Sequence, residues 1–316
     1  MTDQIKLDVP WDRKPEPNEV LGDIDLSGKR AVVTGGYSGI GLETVRALSG
    51  RSVEVIVPVR SREKAEAALG GIDRVTVADL DLGDLASVKS FAGTVTSDGK
   101  PLDLLINNAG IMACPEARLG HGWESQFATN HIGHFVLTAE LLPSILKADR
   151  PRVVALSSSA NRISGIRWDD PQFTKDPYEK WLAYGQSKTA NALFARHLNK
   201  REDGLLAFSV HPGGIMTDLQ RHLSVEEQVK AGWMDENGEL SERAKPLFKT
   251  TTQGASTTLW AATSPMLESH GGVFCEDCNI SEENDDPDSR FFGVRSWACS
   301  DEEAEKLWAY TEELLA

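Results

Sequence analysis

The short apolar run Ala31-Val32-Val33 passes into Thr34-Gly35-Gly36-Tyr37-Ser38-Gly39-Ile40-Gly41 and then into Leu42-Glu43-Thr44-Val45-Arg46-Ala47-Leu48, whose apolar residues fall at helical spacing. A strand entering a helix through a glycine-rich turn narrows the possible folds more than any other stretch of this chain. The glycines let the backbone approach a ligand closely, and the unpaired amides at the helix start face an anion. The spacing is Gly35-x-x-x-Gly39-x-Gly41 and not G-x-G-x-x-G, so the turn by itself leaves an ordinary glycine-rich loop as the competing reading.

The pattern that follows is an alternation. Strand-like runs recur at 53–59, 75–78, 102–106, 152–156, 206–210 and 271–274, and helical spacing at 62–69, 85–95 and 184–199. One long helix is expected from near Trp123 to Leu146, interrupted or closing near Pro143. Such alternation implies right-handed crossovers and a doubly wound parallel α/β sheet, with the ligand outside the carboxyl ends of the strands. No linker-like break divides residues 28–316, which are read as a single domain. Residues 1–27, with Pro10, Pro15, Pro17 and Trp11 among scattered charges, are read as an extended arm. Between a strand and a helix, residues 214–249 mix Met216, Leu219, Leu223, Trp233 and Met234 with many charges, the composition of a mobile substrate lid.

The 316 residues carry a net charge of −15, and most of it sits at the two ends. Residues 1–27 hold seven acids against three bases, and the acidic C-terminal segment 276–316 holds thirteen against three. That argues against nucleic acid or an anionic membrane as partner. No stretch approaches the ~20 apolar residues that span a bilayer, and the N-terminus lacks the pattern of a secretory signal. The expected location is cytoplasmic. Four cysteines fit a reducing compartment, and Cys275-x-x-Cys278, without a second pair, is read as two reduced thiols with no metal.

Tyr184-Gly185-Gln186-Ser187-Lys188 places a phenol and an ammonium one helical turn apart. A free tyrosine titrates near pH ~10, and a fixed charge beside it favours the phenolate. The expectation is a phenol brought toward the range where it can exchange a proton near neutrality.

Taken together, the Thr34–Gly41 turn, Asn107-Asn108-Ala109-Gly110, Asn130, Ser157-Ser158 and Tyr184-x-x-x-Lys188 make this chain resemble the short-chain dehydrogenases/reductases, over roughly residues 27 to 275. Pro58-Val59-Arg60, Leu80-Asp81-Leu82, Asn130-His131-Ile132-Gly133-His134-Phe135 and His211-Pro212-Gly213 are similar to the retinol-dehydrogenase-like branch, which includes WW-domain oxidoreductase. The resemblance implies a Rossmann-type fold, a small-molecule substrate and a homo-oligomer. It implies that Ser158 holds the substrate oxygen, Tyr184 exchanges the proton, Lys188 tunes the tyrosine and binds the nicotinamide ribose, and Asn130 holds a water linking Lys188 to solvent. Ser159 is the alternative to Ser158. For the cofactor it implies Gly35, Tyr37, Ser38, Gly39, Ile40 and Gly41 at the phosphates, and Asp81 and Leu82 at the adenine, with Asp79 the alternative. Asn107, Ala109 and Gly110 would border the ribose, and Pro212, Gly213 and Thr217 would lie over the nicotinamide. His131, His134 and His211 are read as packing or structural groups, and Asn161, Ile163, Trp168 and Trp181 as a second wall for substrate.

Where an acid at the end of the second strand would bind the NAD ribose, this chain has Val59 followed by Arg60, Arg62 and Lys64. A guanidinium there pairs with the 2′-phosphate of NADP, so NADP(H) is favoured over NAD(H). The expected activity is hydride transfer between nicotinamide and a carbonyl or alcohol on an apolar or aromatic small molecule. The competing readings are an NAD(P)-dependent epimerase or dehydratase and a dinucleotide-sensing protein without turnover.

Overall fold

The computed structural model describes residues 3–289 and 291–316. Among these, β1 (Arg30–Val33), β2 (Glu54–Val59), β3 (Val75–Asp79), β4 (Leu104–Asn107), β5 (Arg152–Leu156), β6 (Leu206–His211), β7 (Phe274–Glu276) and β8 (Asn279–Ile280) form one sheet in the order β8-β7-β6-β5-β4-β1-β2-β3. Neighbouring strands run parallel, except that a tight hairpin turns β8 back on β7. The central strands read as unbroken apolar runs because both of their faces are covered. Along β1, Ala31 and Val33 pack toward α1 (Gly39–Ser49), whereas Val32 packs toward α3 (Leu85–Thr96). The remaining main helices are α2 (Arg62–Leu69), α4 (Gly133–Ile145), α5 (Lys180–Arg201), α6 (Thr251–Thr263) and α7 (Asp301–Leu315). α6 joins α1 on one face through Leu259 and the fully buried Trp260, and α4 and α5 join α3 on the other through Phe135 and Phe194. This is the Rossmann-type doubly wound sheet, in one domain. The order in which strands are added reverses between β1 and β4, which opens a crevice beyond their carboxyl ends.

The structure departs from the sequence reading in three places. The helix expected from Trp123 is not one regular helix. Trp123–Glu124 pairs with Arg118–Leu119 as a small antiparallel ladder, and the Glu124 carboxylate caps the next turn at the amides of Gln126 and Phe127. Ala128–Ile132 then widens into a π-helical stretch before α4, and Pro143 sits within α4 near its end. Second, the acidic C-terminal segment includes a helix, α7. Ser300 caps it, Asp301, Glu302 and Glu303 occupy the first turn where the helix dipole favours negative charge, and Ala304, Leu307 and Thr311 are buried. Third, the N-terminal arm is not wholly extended. Pro17–Leu21 forms a helical turn, and Val20, Leu21 and Leu26 join the core. Ahead of that turn the arm lies against the β7–β8 hairpin. The Leu7 backbone exchanges two hydrogen bonds with the Asn279 side chain (2.8 and 2.9 Å), and Trp11 Nε1 donates to the Cys278 carbonyl at 3.1 Å. Among the described residues no helix is long and apolar enough to cross a membrane.

Candidate active site

The glycine turn closes on itself so tightly that side chains are excluded. Gly35 and Gly39 adopt φ of +66° and +51°, the left-handed region. A Cβ on Gly41 would stand 2.3 Å from the Gly35 carbonyl oxygen and 2.6 Å from Asn108 Nδ2. Asn108 in turn clamps the end of β4 to this loop. Its Nδ2 donates to the Thr34 carbonyl at 2.8 Å, and the backbone amides of Asn108 and Ala109 each donate to Thr34 Oγ1 at 2.9 Å. The amides of Gly39, Ile40 and Gly41 open α1 with no acceptor inside the helix. Ser38, the exposed residue before them, does not spend its hydroxyl on capping. Thr217 closes the crevice from the far side, its Cγ2 3.3 Å from where a Gly39 Cβ would be. Backbone space, free amides and a free hydroxyl fit a dinucleotide pyrophosphate.

The two arginines beyond β2 differ in what they bond. Arg62 forks onto Asp79 at 2.7 and 2.9 Å, whereas Arg60, exposed just beyond β2, makes no hydrogen bond or ion pair among the described residues. Asp81 is exposed, and its Oδ1 accepts from the Gly83 amide at 2.9 Å. Leu82 packs against Gly133. Asn107 points elsewhere than the crevice: it is buried, and its Nδ2 donates to Thr138 Oγ1 on α4 at 3.0 Å. Ala109 and Gly110 are half-buried at the rim, as are Tyr37, Pro212 and Gly213.

Beyond β5 the three serines part, because a strand alternates its faces. Ser157 donates to the Lys188 carbonyl at 2.6 Å, Ser158 lies against the Tyr184 phenol, and Ser159 faces a neighbouring cavity. Tyr184 and Lys188, on consecutive turns of α5, are each 4% exposed. Lys188 Nζ stands 5.7 Å from the Tyr184 ring centre and donates to the Leu156 carbonyl at 3.0 Å. Burial governs both groups. It pushes the phenol up to about 12, with the Ser158 hydroxyl working the other way, and pulls the ammonium down to about 8. The phenol is thus held above its free value and not brought toward neutrality, with burial opposed by the Ser158 hydroxyl.

Asn130 lies in the π-helical stretch, and its side chain is fully engaged. Oδ1 accepts from the Ile111 amide at 2.9 Å, while Nδ2 donates to the Ile111 carbonyl and to Ser187 Oγ, also at 2.9 Å. Ser187 passes the link on by donating to the Tyr184 carbonyl at 2.8 Å. Two connectors were given no partner in the sequence reading, which took His134 as a packing or structural group. One is Ser187, and the other is His134 acting with Thr34. His134 Nδ1 meets the Asn130 carbonyl at 3.0 Å and Nε2 meets Thr34 Oγ1 at 2.9 Å, joining the α4 start to the glycine turn. Burial pulls His134 down to about 4 and His131, which bonds Thr311 on α7, to about 3.

Tyr184 shares an apolar cluster with Met112, Ala160, Leu223, Leu219, Trp181 and Trp233. Trp181 meets Tyr184 edge-on at 6.2 Å, and Trp233 meets Trp181 at 6.0 Å. Two residues expected in this wall are elsewhere. Asn161 is buried, donating to the Ser158 carbonyl and accepting from the Arg295 amide, and Trp168 turns to Glu303 on α7. Ile163 is exposed beside Gly185. Cys275 and Cys278 are buried free thiols whose pKa burial raises. Among the described residues no group of three or more His, Cys, Asp or Glu side chains is placed to hold a metal ion.

A doubly wound sheet with a dinucleotide cradle at its switch point and a Ser–Tyr–Lys cluster at the same edge defines a nicotinamide-dependent oxidoreductase. The chain belongs to the short-chain dehydrogenase family, whose model matches residues 29–228. It is 42% identical to a Streptomyces lividans protein named "probable oxidoreductase", over 93% of this chain and 99% of that one. It is 37% identical to mouse (Mus musculus) retinol dehydrogenase 12, over 93% and 88%, in keeping with the retinol-dehydrogenase-like branch. A crystal structure of an uncharacterised Mycobacterium paratuberculosis protein matches with a TM-score of 0.70 at 33% identity, covering 97% of each chain.

Proposed function

We propose that this chain is an NADP(H)-dependent carbonyl reductase or alcohol dehydrogenase for apolar or aromatic small molecules. The observation that carries this reading is the buried Ser158–Tyr184–Lys188 cluster, facing an aromatic and aliphatic wall at the same sheet edge as the dinucleotide cradle. When bound, the nicotinamide supplies the hydride. Ser158 holds the carbonyl oxygen against the phenol, and Tyr184, protonated throughout the neutral range, donates its proton to the developing alkoxide. Lys188 contributes positive charge beneath the phenol, and Asn130 fixes the turn at Ile111 beside them. Similarity to retinol dehydrogenase 12, whose name denotes an apolar alcohol, favours the same substrate class.

Arg60 is the proposed reader of the 2′-phosphate, because Arg62 is already held by Asp79. Residues 214–249 are the proposed lid, with Leu219, Leu223 and Trp233 closing over Tyr184. A panel of aromatic and long-chain aldehydes and alcohols, followed by the absorbance of reduced nicotinamide with NADPH and with NADH, tests the activity. Tyr184→Phe should abolish turnover while retaining cofactor affinity; a folded variant with near-normal turnover would sink the assignment. Arg60→Ala should weaken NADPH binding by ~1.5–3 kcal/mol, the worth of a charged hydrogen bond, and NADH binding far less. Equal loss for both cofactors would remove Arg60 from that role.

A further inference from the structure

Beside the Tyr184 cluster lies a cavity of about 80 Å³ whose Arg13, Asp277 and phenylalanine lining has no role above. Ser159, Gly213 and Gly214 join it to the candidate active site, Trp233 is common to both, and Phe248, Phe291 and Phe292 give it an apolar wall. Its polar side comes from distant parts of the chain. Asp277, at the tip of the β7–β8 hairpin, is shared by two cations: Lys249 Nζ at 2.7 Å and Arg13 Nε at 2.6 Å. The Lys249 side chain is 1% exposed, its stem packs on Gly213, and its charge faces Asp277. Arg13 is 48% exposed and comes from the N-terminal arm, with its guanidinium 4.1 Å from the Phe292 ring centre. Only Nε of Arg13 is engaged, and both terminal nitrogens are without an acceptor among the described residues. A third cation, Lys14, spends its ammonium on the Phe248 carbonyl at 2.7 Å. His211 also faces the cavity, and burial holds it neutral by pulling it down to about 4. Two cations thus meet one carboxylate beside an aromatic pocket, and a third is held at the Phe248 carbonyl.

We infer that this cavity receives an anionic group, a carboxylate, at the end of the substrate remote from the reacting carbon, and that Arg13 of the N-terminal arm reads it. The guanidinium is held by Asp277 on one edge and by the Phe292 face. Its two terminal nitrogens remain free in the planar fork that matches a carboxylate. The aromatic wall would take the apolar body of the same molecule. The inference rests on the oxidoreductase reading and narrows its substrate class to carbonyl compounds that carry an acid.

The test uses 4-carboxybenzaldehyde and its neutral counterpart methyl 4-formylbenzoate with the full chain and NADPH. The acid should be preferred in kcat/KM by about tenfold or more, as one charged hydrogen bond allows. Arg13→Gln should erase that ratio and Arg13→Lys should keep part of it. A ratio near one in the wild type, or a ratio that Arg13→Gln leaves intact, overturns the inference. Saturation-transfer NMR of both probes with Tyr184→Phe reads binding without turnover. Retained preference for the acid there, lost on adding Arg13→Gln, supports the pocket even if neither aldehyde is reduced, an outcome that would count against the activity alone. Equal binding of both probes overturns the pocket while leaving the activity standing.

Discussion

Lys188 makes a pH prediction that belongs to one side chain. Burial pulls its ammonium down to about 8, so it is charged below that pH and loses its charge as pH rises through it. Tyr184, pushed up to about 12, stays protonated over the same range. For carbonyl reduction kcat/KM should therefore fall as pH rises through about 8. Lys188→Arg, which keeps its charge, should flatten that limb at a lower rate. A flat wild-type pH–rate profile there would exclude Lys188 as the titrating group. His134 makes a second prediction. A carbonyl can only accept, so the bond to Asn130 fixes a proton on Nδ1, and the neutral ring must then accept from Thr34 at Nε2. His134→Phe leaves the Thr34 hydroxyl and the Asn130 carbonyl without that partner, at ~1–3 kcal/mol. Denaturant titration should show this loss together with weaker cofactor binding, since Thr34 anchors the glycine turn. The sequence paired Tyr184 with Lys188 because their spacing is local, and pointed to Ser158 through the resemblance. It gave no hint of the His134–Thr34 bond, which joins residues a hundred positions apart.

At the scale of elements, the proposed lid is tied to the helix that carries the phenol. Glu227, in the short helix Val225–Lys230, forms an ion pair with Lys180 in the first turn of α5. Both partners are partly exposed, so the pair is worth ~0–1 kcal/mol and should bias closure more than global stability. Hydrogen exchange across residues 214–249 should slow most when cofactor and substrate bind together. Glu227→Gln should speed it in the free protein with little change in the unfolding midpoint. Exchange that is already slow and insensitive to ligand would make the segment a rigid insertion, with Trp233 part of its core. The parallel strands were legible from their apolar runs. The break at Trp123–Glu124 was not, because the Glu124 cap and the π-helical stretch answer to packing around Asn130 and not to periodicity.

On the scale of the whole molecule, both ends of the chain close onto the same body. α7 lies along α5, where Trp308 stacks on Phe194 with ring centres 5.9 Å apart, and Leu307 is buried. Leu307→Ala should cost ~2–5 kcal/mol, read as a lower midpoint in a single unfolding transition. A separate early transition for the C-terminal segment would mean that α7 is an appendage.

The sequence by itself determined the alternating fold, the glycine cradle and the phenol–ammonium pair, because each is written in residues close together and follows from helix and strand periodicity or from backbone space that only glycine leaves, whereas the family came from the resemblance that its motifs carry along the chain. Tertiary structure alone decided that burial, opposed by the Ser158 hydroxyl, sets the Tyr184 pKa, that Asp79 holds Arg62 and not Arg60, and that Arg13 reaches the cavity beside Trp233. Each of those depends on which distant groups share a low-dielectric space or compete for the same carboxylate, and no local pattern records that.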